Sequence, residues 1–329
     1  MQKTNPSRPL ALVTGASGFV GRHLLHELQQ TTTWDLMSLT RRMSQAIPGV
    51  RNVVCDLLDA DLLQRTLEHH QPTHIIHLAA QSYVPSSLND PRTTLRTNVE
   101  GLLNLLESAR TLTTDPLVLV VGSAEQYGLV EPGSLPITES TPFRPASPYA
   151  VSKITQDMLA LQYWLTWGLR TIRVRPFNHV GPGQSDRFML ASFARQVAEV
   201  EYGVADPVIL TGNLEARRDL LDVRDVVRAY RLLLEHGTPG EVYNLASGVA
   251  RRIGDLLDAL IGLSRVTLDV RQDPARMRPA DIPELRGDAT RLRNAVGWKP
   301  EIPISQTVID TLDWWRVQVQ GNGGVNSRP

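Results

Sequence analysis

Leu10-Ala-Leu-Val-Thr-Gly-Ala-Ser-Gly-Phe-Val-Gly21 is the segment on which the reading of the fold turns. Leu10 to Gly15 is a short apolar run that reads as a buried strand. From Val20 to Leu28 the apolar residues Val20, Leu24, Leu25 and Leu28 recur at helical spacing. Gly15, Gly18 and Gly21 lie between and within these two elements, where glycine permits a tight turn and close approach of bare backbone. The unpaired N–H groups at a helix start suit a pyrophosphate. Glycines in a turn are by themselves only turn glycines; the strand before and the helix after make this one a dinucleotide cradle. Its G-x-x-G-x-x-G spacing is one residue wider at the first gap than the commonest fingerprint.

Outward from the cradle the same rhythm continues. Strands are predicted over Asp35–Thr40, Asn52–Cys55, His74–Ala80, Leu117–Ser123 and Arg170–Arg175, nearly continuous in apolar character and separated by helices. That pattern predicts a parallel sheet covered on both faces, hence an α/β doubly wound (Rossmann) fold with its ligand crevice at the carboxyl ends of the strands. The helix carrying Tyr149 is punctuated by Ser147 as N-cap, Pro148 at its first position and Gly168 at its stop. After Pro176 the rhythm loosens at Gly181-Pro-Gly-Gln184. Residues 1–176 are read as the dinucleotide domain, and 177–320 as a smaller substrate lobe with segments returning to the sheet. Residues 321–329 are expected to form a flexible tail.

The 329 residues balance 34 Lys+Arg against 34 Asp+Glu, which argues against a general nucleic-acid binder. The N-terminus lacks the apolar run of a signal peptide and no stretch approaches the ~20 apolar residues of a spanning helix. Cys55 is the single cysteine, so no disulfide can form within the chain, and a soluble cytoplasmic protein without membrane contact is expected.

Strand ends carry the chemistry. Leu39-Thr-Arg-Arg42 ends the second strand with no carboxylate to receive a ribose 2′-hydroxyl. Arg41 and Arg42 either clamp a 2′-phosphate or are solvated surface arginines; NADP(H) is the expected preference, with NAD(H) as the alternative. Asp56 either accepts the adenine amino group or caps the following turn. Ala79 and Ala80 are small enough for a ribose to pass over, though each also suits core packing. Tyr149 and Lys153 stand at i, i+4 on one helix face. A nearby ammonium is expected to draw the phenol down from its ordinary pKa of about 10. Ser123 would give the reacting carbonyl oxygen a second hydrogen bond.

Together these residues resemble the extended short-chain dehydrogenase/reductase family. The resemblance runs nearly the whole chain, through LAAQS, TNVEG, VGSAEQYG, SPYAVSK, RPFNHVGPGQ, GNLEARRDLLDVRD and NLASG. It implies Ser123, Tyr149 and Lys153 as proton-transfer residues. On the cofactor it implies Gly15, Ser17, Gly18, Phe19, Val20, Gly21, Asp56, Leu57, Leu78, Ala79, Ala80, Pro176 and His179. Asn98 would support the lysine through a bound water, or makes a polar contact inside its helix. Within the family the later segments look most like the GDP-mannose branch. That likeness implies a GDP-sugar substrate held by Ser82, Asn178, Arg218, Arg278 and Asp281, although arginines such as Arg218 also suit surface ion pairs. It further implies reduction of GDP-4-keto-6-deoxy-D-mannose to GDP-D-rhamnose. Glu125 leaves a lyase alternative open. It stands where the 4,6-dehydratases carry the glutamate that removes a C5 proton, or else it holds Tyr127 or its loop. Ala124 and His179-Val-Gly-Pro-Gly-Gln184 depart from the dehydratase pattern and favour the reductase.

Other residues read as bland. His70 and His74 have H-x-x-x-H spacing, but Pro72 lies between them, so no metal site is predicted. Cys55 reads as a small buried hydrophobe. Trp164 and Trp167, with Leu159 and Leu161, are candidates for a helix face used in dimer packing. The resemblance implies a homodimer, with a tetramer as the alternative.

Overall fold

The computed structural model describes residues 8–42, 46–277 and 282–323. Through the first half, strands β1 (Leu10–Thr14), β2 (Asp35–Thr40), β3 (Val50–Val54), β4 (His74–His77), β5 (Leu117–Val121) and β6 (Thr171–Pro176) alternate with helices. These are α1 (Phe19–Thr31), α2 (Ala60–His70), α3 (Val84–Asn89), α4 (Pro91–Leu95), α5 (Gly101–Ala109) and α6 (Pro148–Trp167). There follow β7 (Asn178–Val180), α7 (Met189–Glu201), β8 (Val208–Thr211), β9 (Arg217–Asp222), α8 (Val223–His236) and β10 (Val242–Leu245). The last elements are β11 (Ala250–Arg252), α9 (Ile253–Gly262), β12 (Asp269–Gln272), β13 (Glu284–Leu285), α10 (Thr290–Val296) and α11 (Ile304–Gly323).

The described residues fall into two compact units, one within 1–176, 226–245 and 288–298, the other within 177–225, 246–287 and 299–329. In the first, a seven-stranded sheet runs in the order β10-β6-β5-β4-β1-β2-β3, every adjacent pair parallel. The strand order reverses between β1 and β4, the switch point beside which doubly wound sheets bind ligands. Leu12, Met37, Ile75 and Val118 on the sheet pack with Leu63 and Leu67 of α2 and Leu102 and Leu105 of α5. Burial on both faces explains why the strands read as continuous apolar runs.

The second unit is built on β9, which pairs with β7, β11 and β13, while β12 pairs with β8. Its core joins Phe193 and Val197 of α7, Leu257 and Leu260 of α9, and Val308 and Leu312 of α11. Asp219 is fully buried in β9 and satisfied by the N–H groups of Ser247 at 2.8 Å, Gly248 at 2.9 Å and Gly287 at 3.1 Å.

Element ends differ from the sequence reading where polar residues hide them. β3 begins at Val50 because Val50 and Arg51 already pair with Leu36 and Met37. β4 ends at His77: the Ala79 N–H leaves the ladder for the Thr14 hydroxyl, at 3.2 Å. Helix α11 continues to Gly323, so a tail beginning at residue 321 is corrected; residues 324–329 lie outside the described residues. The apolar stripe of α6 is also corrected. Exposed Val151, Met158 and Leu165 recur every seven residues on one face, whereas Trp167, also exposed, lies on another face against Tyr163. Leu159 instead packs on the core, and Trp164 lies against Gly240.

Candidate active site

The glycine cradle has the geometry its spacing requires. Gly15 sits at φ +68°, and a Cβ there would approach the Ala79 nitrogen to 2.8 Å; one on Gly21 would come within 2.5 Å of the Gly15 carbonyl oxygen. Bare backbone is therefore needed at both positions. Gly18 caps α1 without a side chain, and the first turn carries no acidic residue, which leaves orphan N–H donors for an anion. This uncapped, side-chain-free turn at the switch point fits the diphosphate of a dinucleotide. Ser17 is exposed there and Phe19 and Val20 are half-buried.

The other expected cofactor residues of this unit stand at neighbouring strand ends. Leu78, Ala79 and Ala80 follow β4, half-buried. Asp56 Oδ1 accepts the Leu58 N–H at 3.0 Å, which makes it a turn cap; one carboxylate oxygen remains for a ligand, with Leu57 next to it. Arg41 and Arg42 are exposed, and the Thr40 hydroxyl ties the turn by donating to the Arg42 carbonyl at 2.9 Å.

Beyond β5 the chain turns at Ser123, the N-cap of a one-turn helix. Its Oγ accepts the Glu125 N–H at 3.2 Å, and its own N–H donates to Gln126 Oε1 at 2.9 Å. Gln126 Nε2 reaches the Lys153 carbonyl at 3.2 Å and so ties this turn to α6. The Ser123 side chain lies near enough to Tyr149 to favour the ionised phenol. Tyr149 is only 8% exposed and Lys153 4%.

The ionisation of this pair corrects the expectation of a depressed phenol. Burial, with a smaller contribution from the Glu125 charge, pushes Tyr149 up to about 12, the nearby Ser123 side chain opposing. Lys153 does not lower it, because its ammonium is drawn elsewhere. Nζ donates to the Val121 carbonyl at 2.9 Å and to Gln156 Oε1 at 2.8 Å, and lies 6.0 Å from the Tyr149 ring centre. Burial pushes Lys153 down to about 7.

Asn98 lies in a wide π-type turn, Arg96–Glu100, between α4 and α5. Its side chain accepts the Gln81 N–H at 2.8 Å and donates to Ser152 Oγ at 2.8 Å. Glu125 does not hold Tyr127: that hydroxyl donates to Asn244 Oδ1 at 2.6 Å and accepts from Arg175 at 3.0 Å. The Glu125 carboxylate has no hydrogen-bond partner among the described residues. Ser82 is exposed just past β4. The unit can thus hold a dinucleotide, and it presents a proton-bearing hydroxyl paired with a second donor.

In the other unit, Asn178 is exposed on β7, and His179 beside it accepts the Gln184 side-chain N–H at its carbonyl, at 3.0 Å. Arg218 donates to the Ile282 carbonyl at 2.6 Å. Arg278 and Asp281 lie outside the described residues. A cavity of about 520 Å³ in this unit is lined by Asp186, Ser192, Arg195, Gln196, Arg271 and Arg276 among others. The sequence reading missed it, because its residues come from α7, β8, β12 and the loops between, with no short motif. Thr14, His77 and Gln156 were missed as well. Polar residues inside apolar elements were the only available signal. Among the described residues no cluster of His, Cys, Asp and Glu could hold a metal, and no helix is long and apolar enough to cross a membrane.

A family model described as GDP-mannose 4,6 dehydratase matches residues 12–311. The GDP-6-deoxy-D-mannose reductase of Pseudomonas aeruginosa is 41% identical over 309 residues, covering 94% of this chain and 97% of that protein. GDP-mannose 4,6 dehydratase 2 of Arabidopsis thaliana is 31% identical over 328 residues, covering 93% and 86% respectively. The solved structure of RMD from Pseudomonas aeruginosa complexed with NADPH superposes with a TM-score of 0.83 at 39% identity, covering 94% of this chain and 99% of that one. With the parallel sheet, the cradle and the Ser123–Tyr149–Lys153 set, these matches establish that the chain belongs to the GDP-mannose 4,6 dehydratase family of extended short-chain dehydrogenase/reductases.

Proposed function

We propose that this protein reduces the 4-keto group of GDP-4-keto-6-deoxy-D-mannose to give GDP-D-rhamnose, with NADPH preferred over NADH. The observation that carries this reading is the Ser123–Tyr149 pair with its phenol held protonated, in a chain 41% identical to a GDP-6-deoxy-D-mannose reductase. The bound nicotinamide cofactor supplies the hydride. Gly15, Gly18 and Gly21 hold its diphosphate, Arg41 and Arg42 its 2′-phosphate, and Asp56, Leu57 and Leu78 to Ala80 the adenosine side. Pro176 and His179 complete its surroundings.

Tyr149 gives its proton to the oxygen on C4 of the sugar as negative charge gathers there, and Ser123 donates a second hydrogen bond to that oxygen. Lys153, anchored on the Val121 carbonyl and on Gln156, binds the ribose beside them. Asn178 and Arg218 take diphosphate oxygens, Ser82 the sugar, and the cavity lined by Arg195 and Arg276 the nucleotide. The exposed α6 stripe is the homodimer face. A cytoplasmic setting suits the lone thiol of Cys55.

A second reading, GDP-mannose 4,6-dehydratase, is favoured by one observation: Glu125 presents an unpartnered carboxylate close enough to act on Tyr149. One experiment separates the two. The protein is given GDP-mannose with catalytic NADP, and separately the 4-keto-6-deoxy product with stoichiometric NADPH. Oxidation of NADPH with the keto sugar alone is the reductase result; turnover of GDP-mannose without net cofactor consumption is the dehydratase result and overturns the proposal.

A further inference from the structure

The Lys153 ammonium ends a chain of buried polar groups that crosses four elements of the first unit. Gln156, which accepts from Nζ through Oε1, donates through Nε2 to the Asn98 carbonyl at 2.6 Å, and the same Nε2 lies 3.2 Å from His77 Nε2. His77 Nδ1 stands 3.1 Å from the Thr14 hydroxyl, which accepts the Ala79 N–H. Thr14, His77, Asn98 and Gln156 are all fully buried.

The two ends of this chain fix its hydrogens. An ammonium and a backbone N–H only donate, and a carbonyl only accepts. Turning the Gln156 amide over would set its oxygen against the Asn98 carbonyl and its NH₂ against the ammonium. The amide therefore has one orientation. Its remaining N–H needs an acceptor, so His77 is the neutral tautomer with its proton on Nδ1, directed at Thr14. Burial, with the Lys153 charge, pushes His77 down to about 3 and keeps it in that form.

We infer that Gln156 is a positioning residue that fixes the Lys153 ammonium against the end of β5, with His77 and the Asn98 carbonyl holding the amide in place. The inference rests on the role proposed above for Lys153. The family resemblance implied a water between Asn98 and the lysine; here an amide side chain joins the two directly. Because an amide does not exchange protons readily, Gln156 anchors Lys153 without feeding it. Two of the three ammonium donors are committed, to Val121 and to Gln156, and their directions set where the third points.

The test is a double-mutant cycle on full-length protein with Gln156→Met, Lys153→Met and the pair, read by NADPH dissociation constant, steady-state rates and melting of the cofactor-free protein. Gln156→Met alone is expected to weaken NADPH about 5-fold and lower kcat about 10-fold while moving KM for the keto sugar less than about 2-fold. Added to Lys153→Met, it is expected to change NADPH binding less than about 2-fold, because the group it positions is gone. Equal losses in both backgrounds, or no loss in either, would overturn the inference. Should Gln156→Met fail to fold, Gln156→Leu takes its place in the cycle: NADPH binding weakened about 5-fold alone and changed less than about 2-fold beside Lys153→Met is the expected result, and equal losses in both backgrounds would assign Gln156 to packing alone. Failure of the reductase reading would show separately, as keto-sugar activity absent from the unmutated protein while the NADPH cycle still holds.

Discussion

Burial governs the acid and the amine of the candidate site in opposite senses. It disfavours whichever form is charged, so Tyr149 keeps its proton, at about 12, and Lys153 loses its own more easily, at about 7. A protonated phenol is the state a ketone reduction consumes. The lysine shift also carries a stability signature. Between about 7 and the ordinary 10.5 the unfolded chain holds a proton that the folded chain does not, so stability climbs with pH across that window. Lys153→Met abolishes the climb. Calorimetry of the cofactor-free proteins should show the unmutated protein gaining on the variant from pH 7 to 9.5, and a constant gap would contradict the buried-amine assignment. Arg41 and Arg42 lie exposed beside the cradle. Replacing both with alanine should cut the NADPH-over-NADH preference in kcat/KM at least about 10-fold, a loss of ~1.4 kcal/mol or more. An unchanged ratio would place the 2′-phosphate elsewhere.

Among the elements, α6 positions the chemistry, and what fixes α6 is a buried carboxylate one turn beyond Lys153. Asp157 accepts from Arg173 Nη1 at 3.0 Å and from Arg175 Nε at 2.8 Å, both guanidinium groups of β6. Asp157→Ala would leave two buried cations short of their counterion and should destabilise the protein by about 3–5 kcal/mol in denaturant unfolding; a loss within ~1 kcal/mol would show that the ions find other partners. Nothing in the sequence announced this contact. The cradle, the strand order and the Ser147–Gly168 bounds of α6 were legible because each rests on local spacing: an apolar run, a glycine turn, a cap. The lysine's partners were not, because Gln156 and His77 meet across a separation of 79 residues and neither has a motif. The phenol shift was misjudged for a related reason. Spacing put an ammonium near a hydroxyl, but the direction of its hydrogen bonds depended on Val121 and Gln156. The α6 stripe was misassigned because the aromatic residues drew the reading, whereas the exposed face follows Val151, Met158 and Leu165 at seven-residue intervals.

At the scale of the whole molecule, an apolar stripe in water calls for a cover. Leu165 is 71% exposed, Val151 43% and Met158 39%, an apolar strip of the kind that marks an interaction surface. Leu165→Glu should shift the proposed dimer to monomer in sedimentation velocity at micromolar concentration, while a wild-type monomer would remove that role from α6. Under our proposal the cofactor and the proton donor belong to the first unit and the nucleotide of the sugar substrate to the polar cavity of the second. The central claim is that the Tyr149 hydroxyl delivers the proton in this reduction. Its most direct test is single-turnover oxidation of NADPH by GDP-4-keto-6-deoxy-D-mannose in Tyr149→Phe. The rate should fall at least about 10²-fold with NADPH affinity held within about 3-fold; a rate equal to that of the unmutated protein would contradict the account.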